Sequence, residues 1–130
     1  MNFDGTILLV DDEPHIRKFV GLILRQLGHG KILEAGNGEE AIALYRQDKP
    51  ALVLLDINMP IMDGMEALRE LKKIDPDCVV IMLTSLANRK SIEDALALGA
   101  ANYLRKDTPK EEIAATLAET IAACFEEPSP

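Results

Sequence analysis

Asp56 stands at the end of the apolar run Ala51-Leu52-Val53-Leu54-Leu55 and is followed by Ile57-Asn58-Met59-Pro60. A carboxylate where a buried strand gives way to a loop is held rigidly yet reached by solvent, the situation a nucleophile or a metal ligand requires. A second run, Ile7-Leu8-Leu9-Val10, stops in the same way at Asp11-Asp12-Glu13. If the two runs lie side by side and parallel, their ends gather Asp11, Asp12 and Asp56. Such carboxylates repel by about 4 kcal/mol per pair at an effective dielectric of about 20, so a divalent cation is the natural counter-charge. The side-chain donors are all oxygens, with no His or Cys at the matching ends, which favours Mg²⁺, or Mn²⁺, over Zn²⁺. The plainer role for Asp12 and Glu13 is to cap the positive end of a following helix. Three acids at two strand ends are harder to explain that way.

Two further strand ends add to the group. The run from Val79 to Leu83 closes on Thr84-Ser85, and the run from Asn102 to Arg105 closes on Lys106. Taken singly, Thr84 and Ser85 suit the N-cap of a helix beginning near Asn88, and Lys106 suits solvent. Taken together with the acids, they place a hydroxyl donor and a cation around Asp56. A phosphoryl group on Asp56 would meet an ammonium, a hydroxyl and a metal, which is the electrostatic equipment of phosphoryl transfer. Covalent phosphorylation of an aspartate is the chemistry these residues point to.

The elements that must hold these residues are legible in the pattern. Strands are expected at Thr6 to Val10, Lys31 to Ala35, Ala51 to Leu55, Val79 to Leu83 and Asn102 to Arg105. Helical stripes fall between them: Ile16, Val20, Ile23, Leu24 and Leu27, with Pro14 before and Gly28 after; Ala41, Ile42, Leu44 and Tyr45, ending before Pro50; Met65, Leu68, Leu71 and Ile74, ending before Pro76; Ile92, Ala95 and Leu96, ending before Gly99; and Ile113, Leu117, Ile121 and Cys124. Alternating strands and helices predict an α/β doubly wound five-stranded parallel sheet, (βα)5 and flavodoxin-like, with strand order 2-1-3-4-5. In that order the first and third strands meet at the switch point, beyond whose carboxyl ends ligands bind.

Bulk properties narrow the function. The chain has 130 residues, 48% hydrophobic, which suits one domain over 1–125, a short tail over 126–130 and no output domain. A net charge of −8 argues against direct nucleic-acid binding, which needs basic patches. No apolar stretch approaches the roughly 20 residues of a membrane helix, and nothing at the N-terminus has the form of a signal peptide. Cys78 and Cys124 lack metal-site or CxxC spacing and read as small buried hydrophobes in a reducing, cytoplasmic compartment. His15 and His29 have no partner constellation and read as surface histidines. Met59, Met62 and Met65 read as packing around the loop after Asp56.

Leu8-Leu9-Val10-Asp11-Asp12-Glu13, Leu54-Leu55-Asp56-Ile57-Asn58-Met59-Pro60-Ile61-Met62-Asp63-Gly64, Met82-Leu83-Thr84-Ser85, and Gly99-Ala100 through Tyr103-Leu104-Arg105-Lys106 resemble the signature segments of response-regulator receiver domains of two-component signalling, of the stand-alone, chemotaxis-regulator kind. The resemblance runs through nearly the whole chain in order and spacing. It implies that Asp56 accepts a phosphoryl group from a sensor histidine kinase or a histidine phosphotransfer protein. It implies a Mg²⁺ held by Asp12 and Asp56 with help from Asp11 and from the backbone carbonyl of Asn58. Thr84 and Lys106 would grip the phosphoryl oxygens, and Thr84 and Tyr103 would be the switch pair, the ring turning inward as the hydroxyl moves. The chain would then be a signalling switch in a phosphorelay, not an enzyme beyond its own phosphoryl transfer and autodephosphorylation. Its output would be contact of a downstream protein, or a second copy, with the surface of the fourth helix, fifth strand and last helix.

Departures from the family pattern bear on particular positions. Asp107 follows Lys106 where most receivers have proline, so a cis peptide there is not expected, and Asp107 is placed to offset part of the Lys106 charge. Ser85 replaces a small apolar residue, and Ala101-Asn102 replace the paired acids of many DNA-binding response regulators. Three rival readings are weaker. A flavodoxin-like electron carrier needs a phosphate-cradling Ser/Thr/Gly loop where this chain has Asp-Asp-Glu. A Mg²⁺-dependent aspartyl-phosphate phosphohydrolase usually carries a second acid two residues after its nucleophile, where this chain has Asn58, an amide unable to protonate a leaving group. A degenerate interaction module would have lost one of Asp11, Asp12, Asp56, Thr84 or Lys106, and all five are present.

Overall fold

The computed structural model describes residues 5–85 and 89–125. Ten elements alternate along it: β1 (Ile7–Val10), α1 (Pro14–Gln26), β2 (Ile32–Ala35), α2 (Gly38–Asp48), β3 (Leu52–Asp56), α3 (Gly64–Ile74), β4 (Val79–Thr84), α4 (Arg89–Ala97), β5 (Asn102–Arg105) and α5 (Lys110–Phe125). The strands pair in parallel in the order β2-β1-β3-β4-β5, the doubly wound arrangement expected from the sequence. Two strand ends run one residue further than expected. Asp56 and Thr84 are thus the last residues of β3 and β4, not the first beyond them. The Glu126 to Pro130 tail and the Asn88 helix start lie outside the described residues.

Every residue of β1 and β3 is buried, because helices cover both faces of the sheet. The side-chain period of two divides the strands cleanly. Leu8, Val10, Val53, Leu55, Val80 and Met82 pack with α2, α3 and α4. Ile7, Leu9, Leu52, Leu54, Ile81, Leu83 and Leu104 pack with α1 and α5. Full burial of each large apolar side chain stabilises the fold by about 1.5–3 kcal/mol, so the two layers together dominate the favourable side of folding.

Local chemistry fixes where the helices begin and end. Asn37 and Asp63 cap α2 and α3 by accepting from the backbone N–H groups of Glu40 and Glu66, each at 2.9 Å. At the end of α1, Gly28 takes φ +97°, and the N–H groups of Gly28 and His29 donate to the carbonyls of Arg25 and Leu24, a Schellman closure that a Cβ would strain. Two stripes are narrower than their pattern suggests. Leu96 is 43% exposed and Cys124 is exposed, since burial on α4 centres on Ala95 and on α5 runs through Ile113, Leu117, Thr120 and Ile121. The reading of Cys124 as a buried hydrophobe is therefore corrected. Cys78 is buried as expected. Among the described residues no helix is long and apolar enough to cross a membrane.

Candidate functional site

Strand parity assembles the site. Asp11, Asp56 and Lys106 each lie two residues beyond Leu9, Leu54 and Leu104, whose side chains pack on the α1/α5 layer, and β1, β3, β4 and β5 are in parallel register. Their side chains meet there. Lys106 Nζ lies 2.6 Å from Asp11 Oδ2, 3.1 Å from Asp56 Oδ1 and 3.6 Å from Glu13 Oε1. Asp11 is fully buried, Asp56 is 3% exposed and the Lys106 side chain 8%. The ammonium is brought in by the backbone as well, since the Lys106 N–H donates to the Thr84 carbonyl at 2.8 Å.

One ammonium does not complete this group. Among the described residues Asp56 Oδ2 has no hydrogen-bond partner, and Asp11 Oδ2 is engaged by the Lys106 ammonium at 2.6 Å. Asp12 is exposed at the mouth, and Asp11, Asp12 and Asp56 each present an oxygen within 4.8 Å of the others. Burial first, and then the charge of Asp11, push the Asp56 pKa up to about 7, with Lys106 pulling in the other direction. Burial alone would lower the Lys106 pKa, but the neighbouring Asp11 and Asp56 outweigh it and hold the ammonium above its ordinary value. Two buried carboxylates that share one ammonium, clustered with an exposed third carboxylate, suit a hard divalent cation with oxygen ligands.

The acids do not serve the plainer purpose of capping α1. Glu13 occupies the N-cap position without a side-chain cap bond, and Asp11 Oδ1 instead accepts from the Glu13 N–H at 2.9 Å. Asp107 does not offset Lys106 either. Its carboxylate is held by Arg105 through two hydrogen bonds of 3.1 and 2.8 Å, so that expectation is corrected. No cis peptide occurs among the described residues. His15 Nε2 lies 3.5 Å from Glu13 Oε2, with both side chains well exposed.

The loop after Asp56 is tightly constrained. A Cβ at Gly64 would lie 2.0 Å from the Asp56 carbonyl oxygen, and the Gly64 N–H donates to the Ile57 carbonyl at 2.8 Å, so α3 starts directly against the peptide of the nucleophile candidate. Asn58 is exposed in this loop, while Met59, Met62 and Met65 are half-buried against the core. Ile61 takes φ +70° in a turn closed by the Met62 N–H on the Pro60 carbonyl at 2.7 Å. A β-branched residue in that region is strained, and at 72% exposure Ile61 buries little to offset it. Ile61→Gly is expected to stabilise the protein by about 1 kcal/mol, read as a higher urea midpoint at unchanged slope. A lower midpoint would show that the turn is not strained.

Thr84 and Tyr103 sit on the other side of the sheet. Thr84 is two residues beyond Met82 and 2% exposed, and Tyr103 pairs with Met82 across β4 and β5. Both therefore project toward the α4 side. Tyr103 is 39% exposed and, with Arg89, Ile92, Glu93 and Leu96, lines a groove of about 360 Å³. Two contacts escaped the sequence reading. Arg17 Nη1 donates to the Asp11 carbonyl at 2.6 Å and its Nε to Glu34 Oε1 at 3.0 Å. The available signal was a cation in the first turn of a helix, where the dipole disfavours it unless something nearby holds it.

Residues 7–118 match the family model described as response regulator receiver domain. The chain is 34% identical over 115 residues to the chemotaxis protein CheY of Bacillus subtilis, covering 88% of this chain and 96% of that protein. It is 41% identical over 123 residues to "Probable transcriptional regulator ycf27" of Guillardia theta, covering 92% of this chain but 48% of that protein. In three dimensions it is similar to a chain of the crystal structure of the CheX-CheY-BeF3-Mg+2 complex from Borrelia burgdorferi. That match has TM-score 0.83 and 29% identity, and covers 94% of this chain and 90% of that one.

Proposed function

This chain belongs to the response regulator receiver domain family, and from that premise we propose that Asp56 accepts a phosphoryl group and thereby switches a partner-binding surface. The observation that carries the proposal is the Lys106 ammonium lying within 3.1 Å of the buried Asp56 carboxylate at the sheet's switch point. The donor is a sensor histidine kinase or a histidine phosphotransfer protein. An Asp56 oxygen attacks phosphorus as the bond from phosphorus to the donor imidazole nitrogen breaks, and the imidazole keeps the electron pair. Asn58 has no proton of suitable acidity to give, which favours an acyl phosphate that persists before autodephosphorylation.

A Mg²⁺ or Mn²⁺ would be held by Asp11, Asp12, Asp56 and the Asn58 backbone carbonyl, where it supplies charge that keeps Asp56 ionised and offsets the phosphoryl oxygens. Lys106 is already desolvated beside Asp56, so it exchanges a carboxylate contact for a phosphoryl oxygen with little reorganisation. Thr84, ending the strand next to Asp56, offers its hydroxyl to another oxygen. Its movement opens space on the α4 side for the Tyr103 ring, which now lies half-exposed beside Leu96. Moving such an equilibrium from 1:99 to 99:1 takes about 5.5 kcal/mol of differential interaction, within reach of several charge-assisted bonds. The face of α4, β5 and α5 is then where a downstream protein or a second copy docks, and a cytoplasmic setting goes with such donors.

The test is intact-mass analysis of the full chain after incubation with a small acyl phosphate. One added phosphoryl group is expected with Mg²⁺ and none with a chelator. An unmodified chain in the presence of Mg²⁺ would refute the proposal. Sustained release of phosphate from ordinary esters would instead support a phosphohydrolase.

A further inference from the structure

Arg17 lies in the first turn of α1 with its side chain mostly buried, and both ends of its guanidinium are engaged. Nη1 holds the carbonyl of Asp11 at 2.6 Å, and Nε is paired with Glu34 Oε1 at 3.0 Å. Glu34 belongs to β2, where it is in register with Leu9 of β1. A single planar group therefore ties a helix, an edge strand and the peptide that joins Asp11 to Asp12. The Asp11 N–H is fixed separately, by the Ala35 carbonyl at 3.1 Å. With N–H and carbonyl both anchored, the direction in which the chain leaves β1 toward Asp12 is determined.

That direction matters because Asp12 is the exposed member of the carboxylate trio and has the most freedom to leave it. We propose that Arg17 is a positioning residue for the divalent-cation site: its grip on the Asp11 carbonyl keeps the Asp12 carboxylate beside Asp11 and Asp56, and Glu34 aims the guanidinium. This rests on the reading of the carboxylates as a cation site. Arginine suits the task because its fork spans two acceptors in fixed geometry, which a lysine ammonium does not reproduce. Outer contacts that orient metal ligands commonly affect affinity by 10- to 100-fold.

Charge and positioning make opposite predictions here. If Arg17 acted only as a nearby positive charge, its removal would relieve repulsion and tighten cation binding. If it positions Asp12, its removal loosens binding. Mg²⁺ titration by calorimetry of the full-length wild type, Arg17→Met and Arg17→Lys, at a temperature where metal-free melts show each to be folded, separates them. Arg17→Met is expected to weaken Mg²⁺ binding roughly tenfold, with Arg17→Lys between it and wild type. Should the Met variant not fold, the Lys variant, which keeps the charge and most of the stem, carries the test and is still expected to bind more weakly. Equal or tighter binding in the folded variant overturns the proposal whatever its melting temperature. Wild type that binds no Mg²⁺ would instead overturn the cation site itself.

Discussion

Asp56→Asn is expected to take up no phosphoryl group under conditions that modify the wild type, and at the same time to make the metal-free protein more stable. The first effect is expected because Asp56 is the buried carboxylate that Lys106 contacts at the switch point, whereas Asp12 lies exposed at the mouth. Asp11 is fully buried and committed to Lys106 and to the Glu13 N–H, and Asn58 is an amide. The second follows from the Asp56 pKa, pushed from 3.8 up to about 7 by burial and by Asp11. Between those values the folded state retains a proton that the unfolded chain has released, so stability falls as pH rises, and above about 7 the loss is complete. Asparagine never carries that charge. The variant's advantage should therefore be small near pH 4, grow through the window and level off above pH 7 at up to about 4 kcal/mol. Urea unfolding of both proteins in chelator across that range measures it. A constant gap, or a wild type more stable at high pH, would mean that the Asp56 charge is not a liability.

The complementary substitution, Lys106→Ala, should be strongly destabilising. Its ammonium is the cation that the structure sets between Asp11 and Asp56, at 2.6 and 3.1 Å. Removing one partner of a buried charge cluster leaves the others uncompensated, at a cost of about 3–5 kcal/mol. The loss should depend on Asp56. In the double variant Lys106→Ala with Asp56→Asn, one of the two buried carboxylates is gone, and a substantial part of the lost stability should return. Added Mg²⁺ should also recover part of it in the single variant, by supplying a counter-charge from outside. Strict additivity of the two substitutions would show that Lys106 and Asp56 are energetically independent, contrary to their contact.

The fold was legible because its signals are local and redundant. Fully buried strands read as unbroken apolar runs, and the helical stripes are bounded by Pro or Gly, as at Pro14, Gly28, Pro50, Pro76 and Gly99. Asp11, Asp56, Thr84 and Lys106 were legible for the same reason, since strand ends in a parallel sheet converge by topology. What escaped was side-chain direction on exposed or partly exposed ground. Asp107 turns to Arg105 two residues back, a choice that sequence adjacency to Lys106 conceals. Leu96 and Cys124 belong to apolar stripes but fall at their margins, where a few tens of degrees of helix rotation decide exposure. Arg17 and Glu34 meet across 17 positions of the chain, through packing of α1 beside β2, and no periodicity announces such a pair. The positive φ at Ile61 was hidden because its residue type argues against it.

The two-residue period of the strands gives this domain a front and a back. Leu83 and Thr84 are neighbours in β4, yet one packs with the α1/α5 layer beneath Lys106 and Asp56, and the other follows Met82 toward α4. A sheet buried on both sides is thus also a partition with a door at its carboxyl edge. On the proposed reading, reagents reach Asp56 and Lys106 at that edge while Tyr103 lies on the α4 side, so a donor bound over Asp56 and a listener bound over Tyr103 need not compete for the same ground. The domain could then be rewired by changing residues on α4 without disturbing the chemistry, and retuned at the chemistry without redrawing the docking face.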